Sequence, residues 1–301
     1  MVSATSRDTT WIGHEFDRRA ATYDESEMHR WQADQAVRLL RPQPAQRILD
    51  IATGTGLAAR ACVRITHAPQ RIVGIDVSHG MLQAAAAVST SSYLQADAAQ
   101  LPFRPATFDA LLCIAAIPYF PDVAQAVTEW RRVAQPGADL VFTTPAADGI
   151  ATLRLIRQAA ADHGLVLPDP HASLGSTDQI AETLDSLGLL LRQAEEHTYP
   201  DTLDADPRTA YDRVLEYGFA DQLRNAPPAT FDAVYDSFQS AYRERQAAGT
   251  AQHVTMFTRC SFPAYPGLAP GAEPHSRGSA SRSAAPSPRC LLACVAAACP
   301  C

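Results

Sequence analysis

Residues 48–59 read ILDIATGTGLAA. A short apolar run closes on an acid, Asp50, turns through Gly54 and Gly56, and enters an Ala-rich stretch with helical spacing. Strand, glycine turn and helix is the arrangement in which a ligand rests on a helix N-terminus, and the two glycines let the backbone turn tightly and approach it. Taken alone, GTGLAA also fits the looser dinucleotide pattern G-x-G-x-x-A. A diphosphate would lie unfavourably near Asp50, whereas a cationic or amino-bearing ligand suits that carboxylate.

On either side the same alternation repeats. RILDIA (47–52), RIVGID (71–76), SYLQAD (92–97), FDALLCI (108–114) and ADLVFTT (138–144) have strand character. Helices are predicted between them at 57–66, 79–88 and 122–134, which implies a parallel sheet covered on both faces. Upstream, EMHRWQADQAVRLL (27–40) predicts a helix stopped by Pro42, and residues 1–25 are polar and weakly patterned. Downstream, helices are predicted at 150–163 and 177–187, the second capped by Ser176 or Thr177. LLLRQAEEHTY (189–199) and AQHVTMFTRC (251–260) read as two more strands.

The stretch between those last strands, 207–248, carries Tyr211, Tyr217, Phe219, Phe231, Tyr235, Phe238 and Tyr242. It reads as a helical lid inserted beside the sheet, its aromatics walling a substrate pocket, or else as a helical pair packed on the sheet. The expected organisation is one domain over residues 1–262 and a disordered Pro-, Ala-, Ser- and Cys-rich tail over 263–301. The tail ends CLLACVAAACPC, whose four thiols lack paired CxxC spacing and an adjacent His, so no metal site is expected.

Composition narrows the function. Hydrophobic residues make up 47% of the 301, enough for a buried core, and the 25 basic residues, all Arg, face 32 acids for a net charge of -7. Without a basic run, nucleic acid is not an expected partner. No apolar segment approaches the ~18 residues of a membrane span, and MVSATSRDTTWIG has no secretory core. Cys62, Cys113 and Cys260 then read as reduced, apolar side chains, and the chain as cytoplasmic.

Three successive strands are read as ending in Asp: Asp50, Asp76 in VGIDVSHGML (73–82) and Asp97 in LQADAAQLPF (94–103). A carboxylate after the second strand accepts hydrogen bonds from both ribose hydroxyls of an adenosine. One after the third can take the exocyclic amine of adenine. This series resembles the class I S-adenosylmethionine-dependent methyltransferases, most closely their menaquinone and ubiquinone biosynthesis branch. ILDIATGTG, VGIDVSHGML and QADAAQLPFRPATFDALLC stand at the family's first four motifs, and EWRRVAQPGADLVFTTP (129–145) leads into the fifth strand, with Ala138 where a second Gly is usual.

The resemblance implies a Rossmann-like, doubly wound, seven-stranded sheet with an antiparallel last strand, and S-adenosylmethionine as cofactor. It implies cofactor contacts from Asp50, Ala52, Thr53, Gly54, Gly56, Asp76, Val77, Met81, Asp97 and Ala98. Methyl transfer is an in-line displacement, so the protein chiefly aligns the acceptor and excludes water. A general base helps where the nucleophile is a weak acid. RRAATYDESEMHRW (18–31) resembles the family's A-x-x-Y-D segment, which folds over the cofactor. That makes Tyr23 and His29 candidate catalytic residues, joined by Tyr119 after the fourth strand in AAIPYFPD (115–122). That segment carries no Asn-Pro-Pro-Tyr, so a flipped base has no recognised dock. The expected acceptor is a small, partly apolar metabolite such as a phenol, quinone or polyketide-like compound. A nicotinamide-dependent oxidoreductase and a non-catalytic binding module on the same fold are the other classes considered.

Overall fold

A computed structural model of the chain describes residues 10–263 apart from 201, 202, 204, 205, 216 and 217. The first half alternates as its sequence predicts. Helix α1 (Thr10–Arg19) and α2 (Glu27–Leu40) precede β1 (Ile48–Ile51), α3 (Leu57–Thr66), β2 (Ile72–Asp76), α4 (His79–Val88) and β3 (Ser92–Gln95). Then follow β4 (Phe108–Cys113), α5 (Val123–Val133), the long β5 (Ala134–Ile150), α6 (Ala151–Asp162), α7 (Thr177–Ser186) and β6 (Leu190–Pro200). Helices α8 (Pro207–Leu215), α9 (Asp221–Arg224) and α10 (Pro228–Ala248) lead to β7 (Gln252–Ser261).

The seven strands form one sheet in the order β3-β2-β1-β4-β5-β7-β6. The first five are parallel, and β7 runs antiparallel to both β5 and β6. Alternate side chains of each central strand enter opposite layers, as the pleat requires. Leu49, Leu111 and Leu140 pack with Trp130 of α5 and Ile180 and Leu184 of α7. Ile48, Ala110 and Val141 pack with Val37 of α2 and Ala58 and Cys62 of α3. Burial pushes the thiols of Cys62, Cys113 and Cys260 up, so they stay protonated and apolar.

Two expectations need correction. The polar N-terminal region holds a helix, α1, whose stripe is narrow: Ile12 and Phe16, one turn apart, face inward. The insertion is helical as predicted, but its aromatics do not wall the cavity described below. Tyr211, Phe238 and Tyr242 are fully buried among themselves and against Leu153, Ile156 and Ala159 of α6. Tyr211 touches Phe231, Tyr235 and Phe238 with ring centroids 5.0–5.7 Å apart. Phe219 joins the same interior, and Tyr217 lies outside the described residues. With α6, these helices can hide that much apolar area only by turning it toward one another, which forms a second core. Residues 264–301, almost all of the expected tail, also lie outside the described residues. No described helix is long and apolar enough to cross a membrane. No described cluster of three His, Cys, Asp or Glu could hold a metal.

Candidate functional site

The site lies beyond the carboxyl ends of β1, β2 and β4, as open α/β sheets favour. The turn after β1 is left-handed at Ala52 (φ 52°), Gly54 (φ 56°) and Gly56 (φ 81°). At Gly56 a β-carbon would stand 2.6 Å from the Tyr93 hydroxyl, so only glycine fits. Asp50 sits beneath this turn and organises it: its Oδ2 accepts from the Thr53 hydroxyl at 2.6 Å and the Ala59 amide at 3.0 Å. No described residue bonds its other oxygen. Burial pushes the Asp50 carboxyl up to about 7, partly offset by the Thr53 and Ala59 hydrogen bonds, with the nearby Asp76 charge adding to the rise.

Asp76 ends β2 and accepts from the amides of Gly54 (2.9 Å) and Ser78 (2.8 Å), tying the glycine turn to the start of α4. Its carboxyl is likewise held up by burial. Asp97 does not close its strand. It stands two residues past β3 and accepts from the Ala99 amide at 2.8 Å. The Ala98 carbonyl beside it accepts from the Trp130 indole at 3.1 Å, so α5 fixes this loop from below.

Between these elements lies a cleft of about 660 Å³, partly open to solvent. Its lining includes Ala52, Gly54, Asp76, Val77, Met81, Asp97 and Ala98 from the strand ends and their following turns, and Tyr119. Its roof is Ile12, Phe16 and Tyr23 from the N-terminal segment. Phe16 meets the Tyr119 ring edge-on at 5.1 Å, and Tyr23 stacks on His29 at 4.5 Å. A second, adjoining cavity is lined by Tyr23, His29, Gln32, Asp50, Ala52 and Gly54. Both His29 ring nitrogens and Gln32 Oε1 are buried there without a hydrogen-bond partner. Buried polar atoms without partners are costly and mark where a ligand or water completes the bonding.

All three candidate catalytic residues and nearly all the candidate cofactor contacts line one or both cavities; Gly56 instead lies behind the turn, against Tyr93. Sequence reasoning missed Phe16, Ile12 and Gln32. The Ile12–Phe16 spacing, and Gln32 one turn beyond His29, were the available signals.

Residues 49–142 match the model of a methyltransferase-domain family. The chain is 29% identical over 197 residues to a malonyl-acyl-carrier-protein O-methyltransferase of Erwinia billingiae, covering 64% of this chain and 75% of the relative. It is 31% identical over 147 residues to a demethylmenaquinone methyltransferase of Bacteroides fragilis, covering 43% of this chain and 59% of that one. In fold it is similar to the (4+2)-cyclase SpnF, with a TM-score of 0.55, 18% identity, and coverage of 86% of this chain and 98% of that one. These likenesses, with the methyltransferase-domain match over residues 49–142, support a class I S-adenosylmethionine-dependent methyltransferase. The residues present fit that cofactor: two carboxylates and several aromatic rings line the main cleft, and unpartnered polar atoms lie in the adjoining cavity with the glycine turn.

Proposed function

We propose that the protein transfers a methyl group to a small, partly apolar acceptor of the phenol, quinone or polyketide-like kind. The observation that carries this reading is the aromatic lining of the cleft, Phe16, Tyr23, Tyr119 and Phe120, in the same cleft as Asp76 and Asp97. Flat rings offer a large apolar contact at little cost in rotamer freedom, which suits a flat acceptor. The quinone-type name of one relative is compatible with it.

The cofactor supplies an activated methyl group on a sulfonium; the chain's residues do the rest. In this reading Asp76 accepts from the ribose hydroxyls, Asp97 and the Ala98 amide meet adenine, and Val77 and Met81 hold the base between them. Ala52, Thr53, Gly54 and Gly56 shape the turn under the aminoacyl end, and the free oxygen of Asp50 accepts from its ammonium. Tyr119 orients the acceptor at the far end of the cleft. Tyr23 closes the cleft over the reacting atoms and excludes water. His29, with neither nitrogen engaged, takes the acceptor's proton as its oxygen or carbon becomes the nucleophile.

The test is turnover with S-adenosylmethionine against a panel of phenols, hydroquinones and aromatic polyketide-like compounds, read as S-adenosylhomocysteine released and a one-methyl mass gain. Methylation within the panel, with kcat reduced in Y119F and H29Q at unchanged cofactor affinity, is the expected result. Turnover confined to aliphatic carboxylates would overturn the acceptor class, and full activity in H29Q would remove the base.

A further inference from the structure

The roof of the cleft is fastened at two points, and both fastenings are carboxylates. On α1, Asp17 Oδ1 accepts from the Ser78 hydroxyl at 2.6 Å and the Gly80 amide at 2.7 Å. Ser78 is fully buried and caps α4 by accepting from the Met81 amide at 3.1 Å, so the clip is seated on a rigid helix start. Those donors hold the Asp17 carboxyl below its ordinary range, so it is charged at neutral pH. At the other end of the segment, Asp24 accepts from the Thr55 hydroxyl in the glycine turn and pairs with Arg60 of α3. Each clip therefore engages the region where one cofactor-binding turn enters its helix: after β2 for Asp17, after β1 for Asp24.

Between the clips the roof is close. At Gly13 an added β-carbon would stand 3.3 Å from the Val77 carbonyl oxygen, which places α1 directly on the turn carrying Asp76 and Val77. Phe16 and Tyr23 hang from the fastened segment into the cleft, and the Arg19 guanidinium lies over both rings, 4.9 and 5.8 Å from their centroids. An adenosine-sized ligand resting on the floor is covered as long as both clips hold.

We propose that Asp17 and Asp24 are positioning residues that clip α1 and Tyr23 shut over the cofactor, and that cofactor exchange runs through their release. Neither carboxylate lines the main cleft beside Asp76; Asp17 borders a separate, more open cavity with Val77 and Asp97, and its carboxylate is spent on Ser78 and Gly80. A fastening of this kind slows arrival and departure together, whereas loss of an ordinary ligand contact speeds departure alone.

That difference is the test, made on the full chain with S-adenosylhomocysteine by stopped-flow fluorescence. The D17A/D24A double variant should raise both the association and the dissociation rate, each by about tenfold or more, as expected for losing charge-assisted hydrogen bonds, while the dissociation constant moves far less. G13A, which wedges a methyl group against Val77 without touching either carboxylate, should shift both rates the same way and keeps the test alive should the double variant fold poorly. A faster dissociation with an unchanged association rate, or wild-type rates throughout, overturns the proposal. Because it rests on the cofactor reading, D76A is measured alongside. Unchanged affinity there overturns the cofactor assignment and the clips with it, whereas wild-type exchange in D17A/D24A beside a weakened D76A overturns the clips alone.

Discussion

Two parts of this molecule are rich in aromatic side chains and use them oppositely. In the insertion, Tyr211, Phe238 and Tyr242 pack inward on α6, fully buried. In the N-terminal segment, Phe16 and Tyr23 line a cleft with Asp76 and the left-handed Ala52, and the adjoining cavity holds Asp50 and the unpartnered nitrogens of His29; burial pushes both carboxyls up. The insertion largely obeys the rules of a stable core; the glycine-turn region breaks several at once. Among the described buried side-chain polar atoms of the insertion, the Tyr211 hydroxyl alone lacks a partner, whereas several departures from local rules meet at the candidate site.

The largest expected effect falls on the insertion. Phe238→Ala empties a fully buried site and should cost about 3–5 kcal/mol of stability. S-adenosylhomocysteine affinity of the folded protein should stay unchanged, as denaturant midpoints and calorimetric titration would show. A large loss of affinity would break the contrast by making the insertion part of the site. On the other side, Asp76→Ala should weaken S-adenosylhomocysteine by about 1.5–3 kcal/mol, measured by the same titration.

Asp50 gives the comparison a pH signature. Its carboxyl sits at about 7 in the fold and near 4 in an unfolded chain. Between those values the folded state binds the extra proton, so the Asp50 contribution to stability falls as pH rises from about 4 to 7 and is level above. D50N should flatten that part of the profile of denaturant midpoint against pH. A ligand ammonium favours the ionised form, so S-adenosylhomocysteine affinity should climb several-fold from about pH 6 to 8 in the wild type and stay level in D50N. The smallest effect is expected of Ala52→Gly. Relieving one left-handed residue should gain about 1 kcal/mol, with little change in affinity, by thermal or urea unfolding.

Much of the candidate site was legible because it is local. The turn 52–56, Asp76 with Val77, and Asp97 with Ala98 are each a short segment following a strand, and a parallel sheet brings such segments to one edge whatever the rest of the chain does. Cys62, Cys113 and Cys260 also read correctly as buried apolar groups. Residues such as Asp17 were not legible, because an exposed-looking acid in a polar stretch acquires meaning only from the Ser78 and Gly80 donors 61 and 63 positions away.

What the sequence by itself determined is the strand–helix alternation and the edge that carries the candidate site, which follow from hydrophobic period and turn chemistry acting over a few residues; the antiparallel last strand came from the family resemblance. Only the tertiary structure decided which aromatics face a cleft and which face each other, since Tyr23 and Tyr211 are alike as residues and differ only in what packs against them. It also decided that Gln32 would spend its amide on Thr255, 3.0 Å away across the buried α2–β7 contact, and leave its oxygen free. Partnership across 223 positions depends on where the chain has already folded, and no local pattern carries it.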